Sequence, residues 1–144
     1  MKSFEEKIVN TLSGASQKNA LDLVAFFNSN GMTVDENHSQ IIVGGKVLAY
    51  MHMDGSADMP GPWSVWPEGD FSVVPQGYDF DEPMKEVGWE HINLCGKCGQ
   101  SCVPGKNRTL FEKEFEGVCG SVMVFTNPSG NDLICLQKLL LMKV

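Results

Sequence analysis

All five cysteines lie in the C-terminal half of the chain, and four of them have the spacing C-x2-C-x3-C-x16-C from Cys95 through Cys98 and Cys102 to Cys119. Two thiolates separated by two residues can bind one ion when the turn between them directs backbone N–H groups at the sulfurs. Gly99, directly after the second cysteine, allows the positive φ that such a turn needs. Four thiolates in a tetrahedron form a common structural site for zinc. The sequence therefore predicts one structural zinc ion, held by these four cysteines.

The same cysteines are compatible with other chemistry. A reactive Cys95–Cys98 pair would make the chain a thiol-dependent enzyme or a redox protein. Such a pair normally begins a helix, and the glycines and proline that follow it here disfavour one. Disulfides, an iron–sulfur cluster and free thiols are further alternatives. Within the zinc interpretation, His91 could replace Cys102 as the fourth ligand.

The charge of the chain is divided unevenly along its length. Residues 1–92 hold 14 acids and 5 bases, a net charge of −9, whereas residues 93–144 hold 4 acids and 6 bases, a net charge of +2. An acidic body repels phosphate groups, so we expect no nucleic acid partner. The bases nearest the cysteines would offset the negative charge of four thiolates. They are Lys97, Lys106, Arg108 and Lys113.

The chain shows no sign of a membrane or an export signal. It has no run of about 18 apolar residues, the minimum for a membrane span, and its first ten residues, MKSFEEKIVN, place acids where a signal peptide would be apolar. We therefore expect a cytoplasmic protein whose partner is an unidentified small molecule or protein.

Several segments resemble a family of small uncharacterised bacterial proteins, found mainly in anaerobic Gram-positive bacteria. The specific part is the cysteine segment, which reads CGKCGQSCVPGK over 95–106 and FEKEFEGVC over 111–119. The stretches 25–32 and 127–139 are similar to the family too. One departure is Glu112, where the family pattern has glycine in a turn. The resemblance implies no activity.

Aromatic residues are concentrated in the most acidic part of the chain. Residues 54–90 contain nine acids and a single base, Lys85. Rings and carboxylates together suit a cationic or planar ligand, and the alternative is that the rings fill the core of a sheet. The candidate ligand-binding residues are Trp63, Trp66, Tyr78 and Trp89.

Four helices are predicted from caps and apolar periodicity. Ser3 begins the first with a capping box, and the second starts near Ser16 and stops at Asn30-Gly31. A third lies within 79–92. The last begins at Asn127-Pro128 and contains Cys135, which we expect to be a buried small hydrophobe.

Strands are predicted where short β-prone runs lie between turn residues. Gly44-Gly45 suits a two-residue hairpin turn. Its second strand is apolar on both faces, so we expect that strand in the centre of its sheet. The predicted strands are Gln40–Val43, Lys46–Met53, Trp63–Trp66, Phe71–Val74 and Ser121–Thr126.

These elements indicate a single α+β domain over 1–144, with an antiparallel sheet of about five strands, packed helices and a zinc-ribbon-like cysteine segment at 93–120. No residues in the sequence form a recognisable catalytic set. We therefore favour a binding or regulatory module with one structural zinc over the thiol-dependent enzyme or redox protein.

Overall fold

The computed structural model describes residues 4–35, 39–53, 63–69, 71–72, 74, 77–78, 80–94 and 106–142, with the backbone alone at 93–94 and 119–121. The fold of this part is α+β, as predicted. Its helices are α1 (Phe4–Thr11), α2 (Gly14–Ser29), α3 (Glu82–Glu90) and α4 (Asn131–Leu141).

The main sheet has five antiparallel strands in the order β1-β2-β3-β4-β8. Gly44 and Gly45 both have positive φ, at 54° and 79°, and they close the predicted hairpin between β2 and β3. Strand β3 is central, as its two apolar faces predict. The strands are β1 (Thr33–Asp35), β2 (Gln40–Val43), β3 (Lys46–His52), β4 (Ser64–Pro67) and β8 (Phe125–Thr126).

A second, three-stranded sheet has the order β5-β7-β6 and was not predicted as a sheet. Its strands are β5 (Ile92–Leu94), β6 (Lys106–Leu110) and β7 (Lys113–Met123), all antiparallel. The sequence predicted only the last part of β7, joined to β8 as one strand over 121–126. Val124 separates the two strands, and its N–H donates to the carbonyl of His91 at 3.0 Å.

One predicted strand, Phe71–Val74, and one predicted boundary, the start of the last helix, are wrong. Phe71, Ser72 and Val74 lie outside any strand. The last helix begins at Asn131 and not at 127–128, because Asn127 adopts a left-handed φ of 46°.

Tertiary hydrogen bonds hold Asn127 in that conformation. Its Oδ1 accepts from Trp63 Nε1 at 3.0 Å and from Ser16 Oγ at 2.9 Å. Its N–H donates to the Trp63 carbonyl at 2.8 Å. Asn127 therefore ties the approach to α4 to strand β4 and helix α2.

The core is one cluster of buried side chains that includes residues of both sheets. From the helices it contains Ile8 of α1 and the predicted α2 stripe, which is confirmed. The α2 residues are Ala20, Leu23, Val24 and Phe27.

Helix α3 contacts this core through Gly88. A Cβ at Gly88 would lie 2.8 Å from Cε2 of the Phe111 ring and 3.8 Å from Sγ of Cys135. The ring is buried and cannot move away without disturbing its other contacts. Glycine weakens a helix locally, but at position 88 the close approach of the Phe111 ring leaves no room for a Cβ.

We expect Gly88→Ala to destabilise the protein, although alanine favours a helix by about 1 kcal/mol. Overpacking of this kind costs about 1–3 kcal/mol, so the net loss should be about 1 kcal/mol. Urea unfolding measures it. Glu86→Ala, on the exposed side of the same helix, is the control and should change stability by less than about 0.5 kcal/mol. A stabilised Gly88→Ala variant would contradict the packing argument.

Candidate metal centre

The predicted zinc ligands fall partly outside the described residues. Cys95, Cys98 and Cys102 belong to the stretch 95–105, which is not described, and Cys119 lies in β7, where the backbone is described. What the structure provides is the backbone on either side of that stretch. It ends at Leu94 of β5 and resumes at Lys106 of β6.

Both of these residues pair with the same position of β7. Leu94 pairs with Val118 on one side, and Lys106 pairs with Val118 on the other. The central strand therefore separates the two ends of the 95–105 stretch. Since neighbouring strands lie about 4.8 Å apart, those ends are about 10 Å apart, and Cys119 is the next residue after Val118.

Strand β7 is irregular beside β5 at this point. Ile92 pairs with Met123 and Leu94 with Val118, so residues 119–122 of β7 lie opposite Asn93 alone. Such bulges bend a strand and often occur next to functional sites, where they redirect side chains. The bulge includes Cys119.

The basic residues expected near the thiolates are not all close to Cys119. Lys106 pairs with Val118, beside that cysteine. Lys113 pairs with Leu110 at the other end of β7, about 15 Å from Val118 along the strand. Its Nζ lies 4.9 Å from the centre of the Trp89 ring and 5.4 Å from that of Phe115. Lys113 is therefore remote from Cys119, and its charge is stabilised by aromatic rings.

His91, the alternative ligand, already has partners. Its Nε2 is 2.9 Å from Oδ1 of Asp132 at the start of α4. Its ring stacks on Phe125 with 4.3 Å between the ring centres. These contacts join the end of α3 to β8 and α4. The Asp132 carboxylate contacts Nε2 and does not contact Nδ1.

Cys135 is buried in α4, as predicted. Burial, with a smaller effect of the nearby Asp132 carboxylate, raises the pKa of its thiol to about 12. Its Sγ lies 3.6 Å from the carbonyl oxygen of Met84. Burial and the raised pKa keep this thiol neutral at physiological pH, which fits the small buried hydrophobe that the sequence predicts.

The four candidate ligand-binding aromatics occupy different environments. Trp63 is 1% exposed and belongs to the core. Half-buried Trp66 donates through Nε1 to Ser64 Oγ at 2.9 Å, and Trp89 donates through Nε1 to the Leu110 carbonyl at 2.8 Å. Tyr78 is 44% exposed. The neighbouring residues 70, 73, 75–76 and 79 are not described, so a pocket in this region stays a prediction.

Two clefts that the sequence did not predict lie along β6. One, of about 380 Å³, lies between β6 and residues Gly69, Phe71 and Ser72, and the other, of about 410 Å³, extends over β6 and β7. Both are lined by Arg108 and Thr109. The sequence of β6, KNRTL, is polar and lacks the apolar–polar alternation that would have predicted a strand there.

Within the described ranges, no three His, Cys, Asp or Glu side chains are grouped closely enough to hold a metal ion. Three of the four predicted ligands lie outside those ranges, so the zinc site stays a prediction. No helix in the described part is long and apolar enough to cross a membrane. Comparisons with protein-family models, curated proteins and solved structures find no match to this chain.

Proposed function

We propose that the chain holds one structural zinc ion through Cys95, Cys98, Cys102 and Cys119 and works as a binding or regulatory module. One observation carries the proposal: Val118, directly before Cys119, pairs with both Leu94 and Lys106. The segment with the first three cysteines thus begins and ends beside the fourth.

The length of that segment also supports the proposal. Residues 95–105 would span about 36 Å if fully extended, whereas their two ends lie only about 10 Å apart across β7. A crossing this short does not need so many residues. The extra length allows three cysteines to reach an ion that Cys119 also binds.

A zinc ion at this position would stabilise the three-stranded second sheet. Strand β5 has three residues and β6 has five, and both pair with β7 at Val118. Thiolates from the loop and from β7 would tie the strand ends together in a zinc-ribbon-like arrangement. The same cysteine segment carries the resemblance to the family of small bacterial proteins. We propose that the chain belongs to this family.

We favour Cys102 over His91 as the fourth ligand. His91 already binds the Asp132 carboxylate through Nε2 and stacks on Phe125. These contacts give the side chain a structural role without a metal. A carboxylate on the second nitrogen is also common among histidine ligands, so zinc content of His91→Gln and Cys102→Ser variants decides between them.

Purified protein is expected to contain about one zinc per chain. Elemental analysis of protein purified without chelators measures it. A metal-free protein with a Cys95–Cys98 disulfide would contradict the proposal and favour the redox alternative.

Thiol titration separates the module from a thiol-dependent enzyme in the same preparation. A closed four-thiolate site has no open position and should react slowly until a chelator removes the metal, whereas an activated catalytic thiol reacts at once. Cys135 should react only on unfolding, because it is buried and its pKa is raised to about 12.

The proposed module is cytoplasmic and does not bind nucleic acid. Four thiolates on Zn²⁺ carry a net charge of about −2, which cancels the small basic excess of residues 93–144. The rest of the chain is acidic. Phosphate neutralisation, the main source of affinity for nucleic acid, is therefore lacking.

A further inference from the structure

Strand β6 is an edge of the second sheet. Its neighbour β7 lies on one side, and on the other side no strand is paired with it in the described part of the chain. Because the turn has two residues, Leu110 and Lys113 form a hydrogen-bonded pair of the ladder. The next pair, Thr109 with Glu114, is then a non-hydrogen-bonded pair. The N–H and C=O groups of Thr109 therefore point away from β7.

The outer side of β6 is partly flanked by Phe71 and Ser72. Phe111 N–H donates to the Phe71 carbonyl at 2.8 Å, and Glu112 N–H donates to the Ser72 carbonyl at 2.9 Å. These bonds are made at the turn. At Thr109 the described residues provide no such backbone partner, and the first cleft, of about 380 Å³, begins there.

The two faces of β6 and β7 beside this edge differ in charge. Alternation along the strands places Arg108 on one face, opposite Phe115, and Thr109 on the other face, opposite Glu114. Glu116 shares the face of Glu114. Among the described residues, no side chain pairs with the Arg108 guanidinium. A strand added to this edge would lie directly beside Arg108 on one face and beside Thr109 on the other. The carboxylates of that second face belong to β7, one strand further away at about 10 Å, so only long side chains of the added strand would reach them across Thr109.

We propose that the outer edge of β6 binds an extended segment of a partner protein, which adds to the sheet as a strand and alternates acidic and basic side chains. Main-chain bonds to Thr109 would supply affinity. Acidic side chains beside Arg108, and long basic side chains that reach across Thr109 towards Glu114 of β7, would supply selectivity. The proposal rests on the binding-module function proposed above and not on the zinc ion. Its failure and the absence of zinc are therefore distinguishable results.

A second copy of this chain is a poor occupant of the edge. In an antiparallel β6–β6 pair, residues on the same face meet. Registers that pair Asn107 with Asn107 or with Thr109 place Arg108 opposite Lys106 or Arg108 of the other copy. The register that pairs Thr109 with Thr109 would need the Phe111 N–H, which already donates to the Phe71 carbonyl. Like charges directly opposite each other destabilise a strand pair. Exposed basic residues at an edge often serve to prevent such self-association.

The test uses three synthetic octapeptides and the whole protein. The first alternates glutamate and lysine, and the second has the same composition in the order Glu-Glu-Lys-Lys repeated, which puts both charges on each face. The third repeats the alternating sequence with every backbone nitrogen methylated. Fluorescence anisotropy of labelled peptides should show the alternating peptide binding about tenfold more tightly than the second, since the rearranged order puts a like charge opposite Arg108. The methylated peptide should not bind.

Substitutions in β6 test whether the peptide binds at its outer edge. Thr109→Pro removes the outward N–H but no bond to β7, so it should abolish binding, whereas Thr109→Ala should retain it. Arg108→Gln should weaken binding about tenfold. If Thr109→Pro does not fold, NMR of the unmodified protein gives the same answer, because the Thr109 amide should shift and become protected when peptide is added.

Three results would overturn the proposal. One is no binding of the alternating peptide at millimolar concentration. Another is equal binding of the rearranged or methylated peptide, which would indicate charge attraction without strand addition. The third is an unchanged Thr109 amide at saturating peptide.

Discussion

Replacing Cys98 with serine is expected to lower zinc content and melting temperature together. Serine is a poor ligand for zinc, so the metal should fall from about one per chain to a small fraction. Free energy of metal binding contributes directly to folding free energy. A loss of about 3 kcal/mol would lower the melting temperature of a chain of this length by roughly 10 °C.

Cys135→Ala is the matched control. That thiol is buried in α4 and has no part in the proposed site. The substitution removes one sulfur from the core, so it should cost on the order of 1 kcal/mol and leave the zinc content unchanged. Elemental analysis and thermal unfolding of the two variants, side by side, give the comparison. Equal loss of zinc in both would mean that the wrong four cysteines have been chosen.

The elements with strong local signals could be predicted from the sequence. Helix α2 has apolar residues at helical spacing, and the β2–β3 hairpin has Gly44-Gly45 at its turn. In both cases the local signal and the tertiary packing favour the same structure. Their buried residues are therefore the predicted ones.

The β6–β7 hairpin could not be predicted because its local signals are absent. Four of the five residues of β6 are exposed, so the strand has no apolar alternation. Its two-residue turn consists of Phe111 and Glu112, with φ of 48° and 69°, where asparagine and glycine are usual. The glycine that the family pattern has at 112 would have marked the turn.

The start of α4 shows the opposite case, in which a clear local signal is overridden. Asn127-Pro128 is a good helix start on local grounds. The hydrogen bonds from Trp63 and Ser16 to Asn127 join residues far apart in the chain, and no local pattern contains them. Long-range contacts of this kind decide boundaries against local preference.

For the candidate metal centre, spacing alone selected which cysteines to consider. It could not show that Leu94 and Lys106 pair with the same residue of β7, because strand register depends on the whole sheet. Nor could it show that Lys113 contacts Trp89 and lies far from Cys119. The cysteine spacing and the strand register are independent observations. The register places the two ends of the 95–105 stretch beside Cys119, and the four ligands stay a proposal.

Phe111→Ala is expected to cause the largest loss of stability outside the cysteines. The side chain is 1% exposed, and its ring centre lies 4.9 Å from that of Phe80 and 6.2 Å from that of Phe71. Gly88 of α3 packs against the same ring. Truncating a buried phenylalanine costs about 3–5 kcal/mol. Urea unfolding should therefore show a loss in this range.

The positive φ of Phe111 provides a sharper test of the same site. A residue with a Cβ is strained in this conformation by roughly 1 kcal/mol, and glycine is not. Phe111→Gly should therefore be no less stable than Phe111→Ala, although glycine normally weakens a strand relative to alanine. Glu112→Ala is the control, since it keeps a Cβ in the turn and loses the ion pair with Lys85 at 3.6 Å, in which the glutamate is exposed. Such a pair is worth about 1 kcal/mol or less. If Phe111→Gly proves clearly less stable than Phe111→Ala, the turn does not have the left-handed conformation on which the register of β6 and β7 depends.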